Sequence, residues 1–106
     1  MTQDELYQAL KSIGYPVAYG SFSRPVKPPF ITYQFAYNSD LIADNINYVP
    51  IDSFQVELYT AKKNLVAEQK VQDKLRELGL PYRKFETYLD EEKIFQILYE
   101  IQILGG

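Results

Sequence analysis

From Phe95 to Ile103 every second residue is large and apolar: Phe95, Ile97, Tyr99, Ile101 and Ile103 alternate with Gln96, Leu98, Glu100 and Gln102. A side-chain period of two belongs to an extended strand with one face on a core. Tyr82 to Leu89 is a second extended run, and Asp90-Glu91-Glu92 separates it from the first. The spacing predicts a long antiparallel hairpin, Tyr82 to Leu89 and Lys93 to Leu104, closed by an acidic turn.

The same period recurs upstream. Ile31, Tyr33, Phe35 and Tyr37 alternate with Phe30, Thr32, Gln34 and Ala36, which predicts a strand over 30–37. Phe54, Val56 and Leu58 fall on one face of a strand over 51–60, with Ser53, Gln55, Glu57 and Tyr59 on the other. Asn38-Ser39-Asp40 is turn chemistry. Leu41 to Val49 is diluted by Asp44, Asn45 and Asn47, and reads as an irregular strand or a hairpin arm ending at Pro50. Tyr15 to Tyr19 is a short extended segment.

Two stretches change to the helical period. Thr2 and Glu5 form a T-x-x-E capping box, and Leu6, Leu10 and Ile13 follow at i, i+4 and i+7, with Gly14 and Pro16 as the stop. Asn64 is the expected N-cap of a second helix to Leu78. Val71, Leu75 and Leu78 form its stripe, Leu65 and Ala67 extend it, and Gly79 and Pro81 end it. Glu68, Lys70, Asp73, Lys74, Arg76 and Glu77 are expected on its solvated face. The order is helix, three strands, helix, two strands. This predicts an α+β domain over 1–106, with one antiparallel or mixed sheet of about five strands and both helices on one face. The expected core is Leu6, Leu10, Ile13, Phe35, Phe54, Val56, Leu58, Val71, Leu75, Leu78, Ile97 and Ile101.

Composition narrows the function. The 106 residues include no cysteine and no histidine. Disulfides, thiolate metal sites and cysteine nucleophiles are thereby excluded, along with the commonest general base and metal ligand. The net charge is −3 and no basic stripe appears, so specific nucleic-acid binding is not expected. No apolar run reaches the length of a membrane span, and the N-terminus does not read as a signal peptide, which leads to the expectation of a cytoplasmic protein unless it joins a larger particle. G-x-S-x-G, Walker, G-x-G-x-x-G and H-E-x-x-H motifs are absent. Carboxylates are the remaining catalytic class. Their clusters, Asp40 with Asp44 and Asp90 to Glu92, sit at expected turns, where acids cap amides and face water; neither a catalytic nor a metal role is expected, and no cofactor.

What stands out is aromatic content: ten tyrosines and six phenylalanines, with no tryptophan. Tyr33, Tyr37, Tyr59, Tyr88 and Tyr99 all lie on expected strands. Each fits core filling, and together they suggest a sheet face or edge covered by another chain. The Gly20–Pro29 loop, with Pro25, Pro28 and Pro29, reads either as a stiff surface connection or as a docking arm that presents Phe22, Arg24, Val26 and Lys27. The candidate partner-binding residues are Phe22, Arg24, Val26, Lys27, Tyr33, Tyr37, Tyr88 and Tyr99.

Several stretches carry a resemblance. Ala43-Asp44-Asn45-x-x-Tyr48 leads into Phe54-Gln55-Val56-Glu57-Leu58-Tyr59-Thr60. Lys62-Lys63-Asn64, Leu80-Pro81-Tyr82, Thr87-Tyr88-Leu89-Asp90-Glu91-Glu92-Lys93 and Phe95-Gln96-Ile97-Leu98-Tyr99-Glu100-Ile101 follow. From about Pro29 to Leu104, and in its short N-terminal helix, the chain resembles small structural proteins of Gram-positive phages and prophages, of the tail completion or head–tail joining type. The resemblance implies an α+β fold related to tail terminators and a ring of copies, with six as a candidate number. It also implies neighbouring head or tail proteins as partners and no active site. The location implied is the host bacterial cytoplasm during assembly and then the virion. The alternative is a cytosolic binding module or regulator that uses the tyrosine-rich sheet face for one partner.

Overall fold

The structure is a computed structural model that describes residues 1–39, 41–43 and 46–104, with the backbone alone for 41–43 and 46–49. The capping box forms as the sequence requires: Thr2 Oγ1 accepts from the Glu5 amide at 3.1 Å, and Glu5 Oε1 accepts from the Thr2 amide at 2.9 Å. It opens α1, Gln3–Lys11, whose Leu6 and Leu10 are fully buried. Asn64 Oδ1 accepts from the Ala67 amide at 3.0 Å and opens α2, Leu65–Glu77. At its end the Gly79 amide donates to the Arg76 carbonyl and the Leu80 amide to the Leu75 carbonyl, each at 2.9 Å. This closure needs a left-handed residue, and Gly79 has φ +71°.

The strands are β1 Val17–Tyr19, β2 Phe30–Asn38, β3 Leu41–Ala43, β4 Ile46–Val49, β5 Ile51–Thr60, β6 Arg83–Leu89 and β7 Ile94–Leu104. The main sheet has the order β1-β2-β5-β7-β6. Only β1–β2 is parallel, so the sheet is mixed. β3 and β4 pair with each other in a separate two-stranded sheet. The stretch 41–49, expected as one irregular strand or hairpin arm, is corrected to two short strands that pair with each other outside the main sheet, and the main-sheet strands before α2 are β1, from the short extended segment, with β2 and β5. Asp40 and Asp44, named in the first acidic cluster, lie outside the described residues.

Register defines the two faces. Ile31, Leu58 and Ile97 lie side by side, as do Tyr33, Val56 and Tyr99, and Phe54 pairs with Ile101. All are buried with Leu6 and Leu10 of α1 and Ala67, Val71 and Leu75 of α2. Both helices therefore cover one face. Tyr99 Oη donates to Gln72 Oε1 of α2 at 3.1 Å, and the Tyr7 and Tyr33 rings are 6.1 Å apart. The other face carries Ser53, Gln55, Glu57, Tyr59, Gln96 and Leu98.

Phe35 departs from the expected core. It is 45% exposed; β1 ends opposite Tyr33, and among the described residues no strand pairs with β2 on that side of Phe35, whose ring meets Phe54 edge-on at 5.9 Å. Ile13 and Leu78 pack at the margin of the core. Leu65, expected on the α2 stripe, is 69% exposed in the first turn.

Candidate interaction surface

The candidate partner-binding residues do not converge. Tyr33 and Tyr99 are corrected from surface to core: alternation places both on the helix-covered face, where they are 5% and 0% exposed. The tyrosine-rich face is therefore largely an interior one. Tyr37 and Tyr88 are exposed, but Tyr37 lies opposite Ser53 at one end of the sheet and Tyr88 opposite Phe95 at the other. In the Gly20–Pro29 loop, Phe22 is half-buried, its ring edge-on to Phe30 at 5.4 Å. Phe30 in turn stacks on Tyr59 at 4.8 Å. Val26 is also half-buried, while Arg24 and Lys27 are exposed. Phe22 anchors the loop to the sheet, and the charges are what the loop presents.

The sheet has two outer strands, each paired on one side only. β6 joins β7 in unbroken register from Arg83 to Leu89. It contains no proline, and its residues 83–88 are all exposed. Phe85 lies opposite Leu98 on the helix-free face, and the Tyr88 ring packs on Phe95 at 4.9 Å. Such an edge is a template for another strand unless something blunts it. At the opposite side β1 pairs only with β2, and its Tyr19 is exposed. The Tyr19 hydroxyl accepts from the Phe35 amide at 3.1 Å, just beyond the end of β1.

The end of the sheet that holds the loop also holds the acidic turn. Phe30 pairs with Tyr59, Tyr59 with Gln96, and Gln96 with Thr87. The Gly20–Pro29 loop leaves β1 after Tyr19, opposite Tyr33, and returns to β2 at Phe30, the end of the sheet from which the β6–β7 turn projects. Asp90, Glu91 and Glu92 are exposed, and none of them, nor Arg24 or Lys27, enters an ion pair among the described residues.

A charge cluster that the sequence reading missed ties β6 to α2. Glu68, expected in solvent, is 2% exposed, with Lys63 Nζ at 2.7 Å and Lys84 Nζ at 2.8 Å from its carboxylate. Lys63 also pairs with Glu86. Burial pushes the Glu68 carboxyl upward, but the two ammonium groups outweigh it and hold its pKa below the ordinary value. The signal was present: Glu68 lies three residues before Val71 and so falls on the Val71–Leu75 stripe. On the helix-free face, Tyr59 Oη donates to Glu57 Oε2 at 3.0 Å, and Gln96 Nε2 donates to the same oxygen at 2.8 Å. Burial, followed by the Glu57 charge, raises the Tyr59 pKa.

A cleft of about 670 Å³ lies beside the end of β7, walled by Met1, Tyr37, 79–83, Glu100 and 102–104. Its charged side chains, Arg83 and Glu100, are register partners across β6 and β7. Among the described residues, no group of three or more acidic residues is placed to share a metal ion. No described helix is long and apolar enough to cross a membrane. No protein-family model and no curated protein matches the chain.

Proposed function

We propose that this chain is a non-catalytic structural component of a phage or prophage particle, forming a ring at the head–tail junction or tail end. The observation that carries the reading is a main sheet whose two outer strands differ: β6, with exposed Phe85 and Tyr88, and the short β1. A ring needs a heterologous contact, in which one surface of a copy meets a different surface of the next. The resemblance of 29–104 to tail completion and head–tail joining proteins supplies the setting. In this reading the chain is made in the host cytoplasm and ends in the virion, beside head or tail proteins. The alternative of a single-partner module loses support, because Tyr33 and Tyr99 are occupied in the core.

The test is complementation of a structural cluster lacking this gene with Phe85→Lys and Tyr88→Lys. Phe85→Lys is at an exposed position and should unfold like wild type; Tyr88→Lys also loses the ring contact with Phe95 and should unfold slightly earlier, with the same circular dichroism. The expected result is an accumulation of unjoined heads and tails by electron microscopy. Folded variants that still give infectious, joined particles overturn the proposal.

A further inference from the structure

We infer that two copies of this chain pair antiparallel through β6 about a twofold axis, with Phe85 opposite Phe85 and Lys84 opposite Glu86 in both halves of the contact. The inference stands on the strand itself and does not rest on the ring reading. A twofold contact closes on two copies. It caps β6 in the free protein and is not the contact that repeats around a ring.

The open edge comes first. β6 runs from Arg83 to Leu89 with no proline and no register shift. Its residues 83–88 are all exposed, so α2 does not overhang it. Among the described residues β6 pairs only with β7, and beyond that ladder the Leu89 carbonyl accepts from the Lys93 amide at 2.7 Å. In an antiparallel pair alternate residues turn their amide and carbonyl away from the partner strand, so the rest of β6 presents a row of these groups to solvent. β1 is a poorer edge: it spans three residues, and its Tyr19 carbonyl accepts from the Ser21 amide at 2.8 Å.

Charge selects a second copy as the occupant and sets the register. Lys84 and Glu86 lie on the helix-covered face, opposite Tyr99 and Ile97, while Arg83, Phe85 and Thr87 lie on the other, opposite Glu100, Leu98 and Gln96. Residues directly opposite each other share a face, so a twofold axis through the ladder is centred on a residue. Centring on Glu86 sets two carboxylates face to face, which is unfavourable. Centring on Thr87 sets Glu86 against Tyr88 and leaves no ion pair within the strand. Centring on Phe85 sets Lys84 against Glu86 twice and Arg83 against Thr87, and brings the two Phe85 rings together. Lysine on an edge strand ordinarily deters pairing. Here Lys84 already meets Glu68, and Lys63 meets Glu86. Lys84 and Glu86 are still 37% and 43% exposed, so each keeps polar atoms free to reach across. The signs then alternate through the contact: Glu68 and Lys84 of one copy, Glu86 and Lys63 of the second.

The experiment is sedimentation velocity on the full chain from about 10 μM to about 1 mM, a range that spans weak self-association. The variants are Phe85→Lys, Phe85→Glu and Thr87→Glu, all at exposed positions, with circular dichroism to verify each fold. Wild type is expected to pass from monomer to dimer across this range. Phe85→Lys and Phe85→Glu each set like charges face to face at the axis and should associate at least about tenfold more weakly. Their equimolar mixture sets Lys against Glu and should recover the dimer. Both variants keep a net negative charge, so recovery reports the 85-to-85 contact and not a general attraction. Thr87→Glu faces Arg83 of the second copy and should associate at least as tightly as wild type. A wild type that stays monomeric throughout, a mixture without recovery, or a Thr87→Glu variant about tenfold weaker (as Thr87 facing itself gives) overturns the inference. The readout involves no particle, so these outcomes are separate from those that decide the ring reading.

Discussion

Glu68→Gln removes one negative charge and almost no volume from the cluster between α2 and β6. The carboxylate is 2% exposed and meets Lys63 at 2.7 Å and Lys84 at 2.8 Å. A close contact between a charged donor and an acceptor contributes up to about 1.5–3 kcal/mol, and two such ion pairs are weakened together. Opposing this, Lys63 and Lys84 are 41% and 37% exposed and regain hydration once released. The net loss at neutral pH is therefore nearer one contact than two, about 2 kcal/mol, and below the ~3–5 kcal/mol seen when a fully buried pair is broken. For a domain of this size that lowers Tm by about 10 °C. The sign of the pH dependence follows from the depressed Glu68 pKa. The stabilisation is present above the unfolded-state carboxyl value and is lost as pH falls through the lower folded value. Urea unfolding of wild type and Glu68→Gln, followed by circular dichroism from neutral to strongly acidic pH, should give curves that converge on acidification. A neutral-pH difference below about 0.5 kcal/mol, within the scatter of surface substitutions, refutes the reasoning; so does a difference that does not shrink with acid.

Leu75→Ala, at a fully buried position of α2, should cost about 2–5 kcal/mol in denaturant unfolding, and a loss below about 0.5 kcal/mol would place Leu75 outside the core. Tyr99→Phe removes the hydroxyl that donates to Gln72 and should cost about 1 kcal/mol. Burial, and then the Glu68 charge, raises the Tyr99 pKa, so the wild type loses stability as pH climbs above the ordinary tyrosine value of about 10, and Tyr99→Phe lacks that component in alkaline unfolding curves. Calorimetric titration with calcium, magnesium and manganese should show no saturable site, and micromolar binding that disappears in Asp90→Asn would contradict the solvent-facing reading of the turn.

Local chemistry was legible wherever a short segment decides its own conformation. The Thr2–Glu5 box, the Asn64 cap and the Gly79 closure each depend on backbone groups within a few residues, and each forms as the sequence predicts. Alternation located β2, β5 and β7, and it also defined which residues share a face. It could not say which face the helices would take. Tyr33 belongs to the same alternating set as Ile31 and Tyr99 to that of Ile97, so once α1 and α2 settled there, both tyrosines became core. Partner-binding candidates chosen for their residue type were thus reassigned by packing.

The sequence by itself determined the order of the helices and long strands, the buried face of α1, the long terminal hairpin and the absence of histidine and cysteine chemistry, because these follow from local periods and composition. Tertiary structure decided the rest. It split 41–49 from the main sheet, left Phe35 open past the short β1, and drew Glu68 inward between two lysines from other parts of the chain. The physical reason is range: caps and strand alternation are set within a few residues, whereas strand order and ion pairing join residues far apart in sequence, and only the closed fold brings them together.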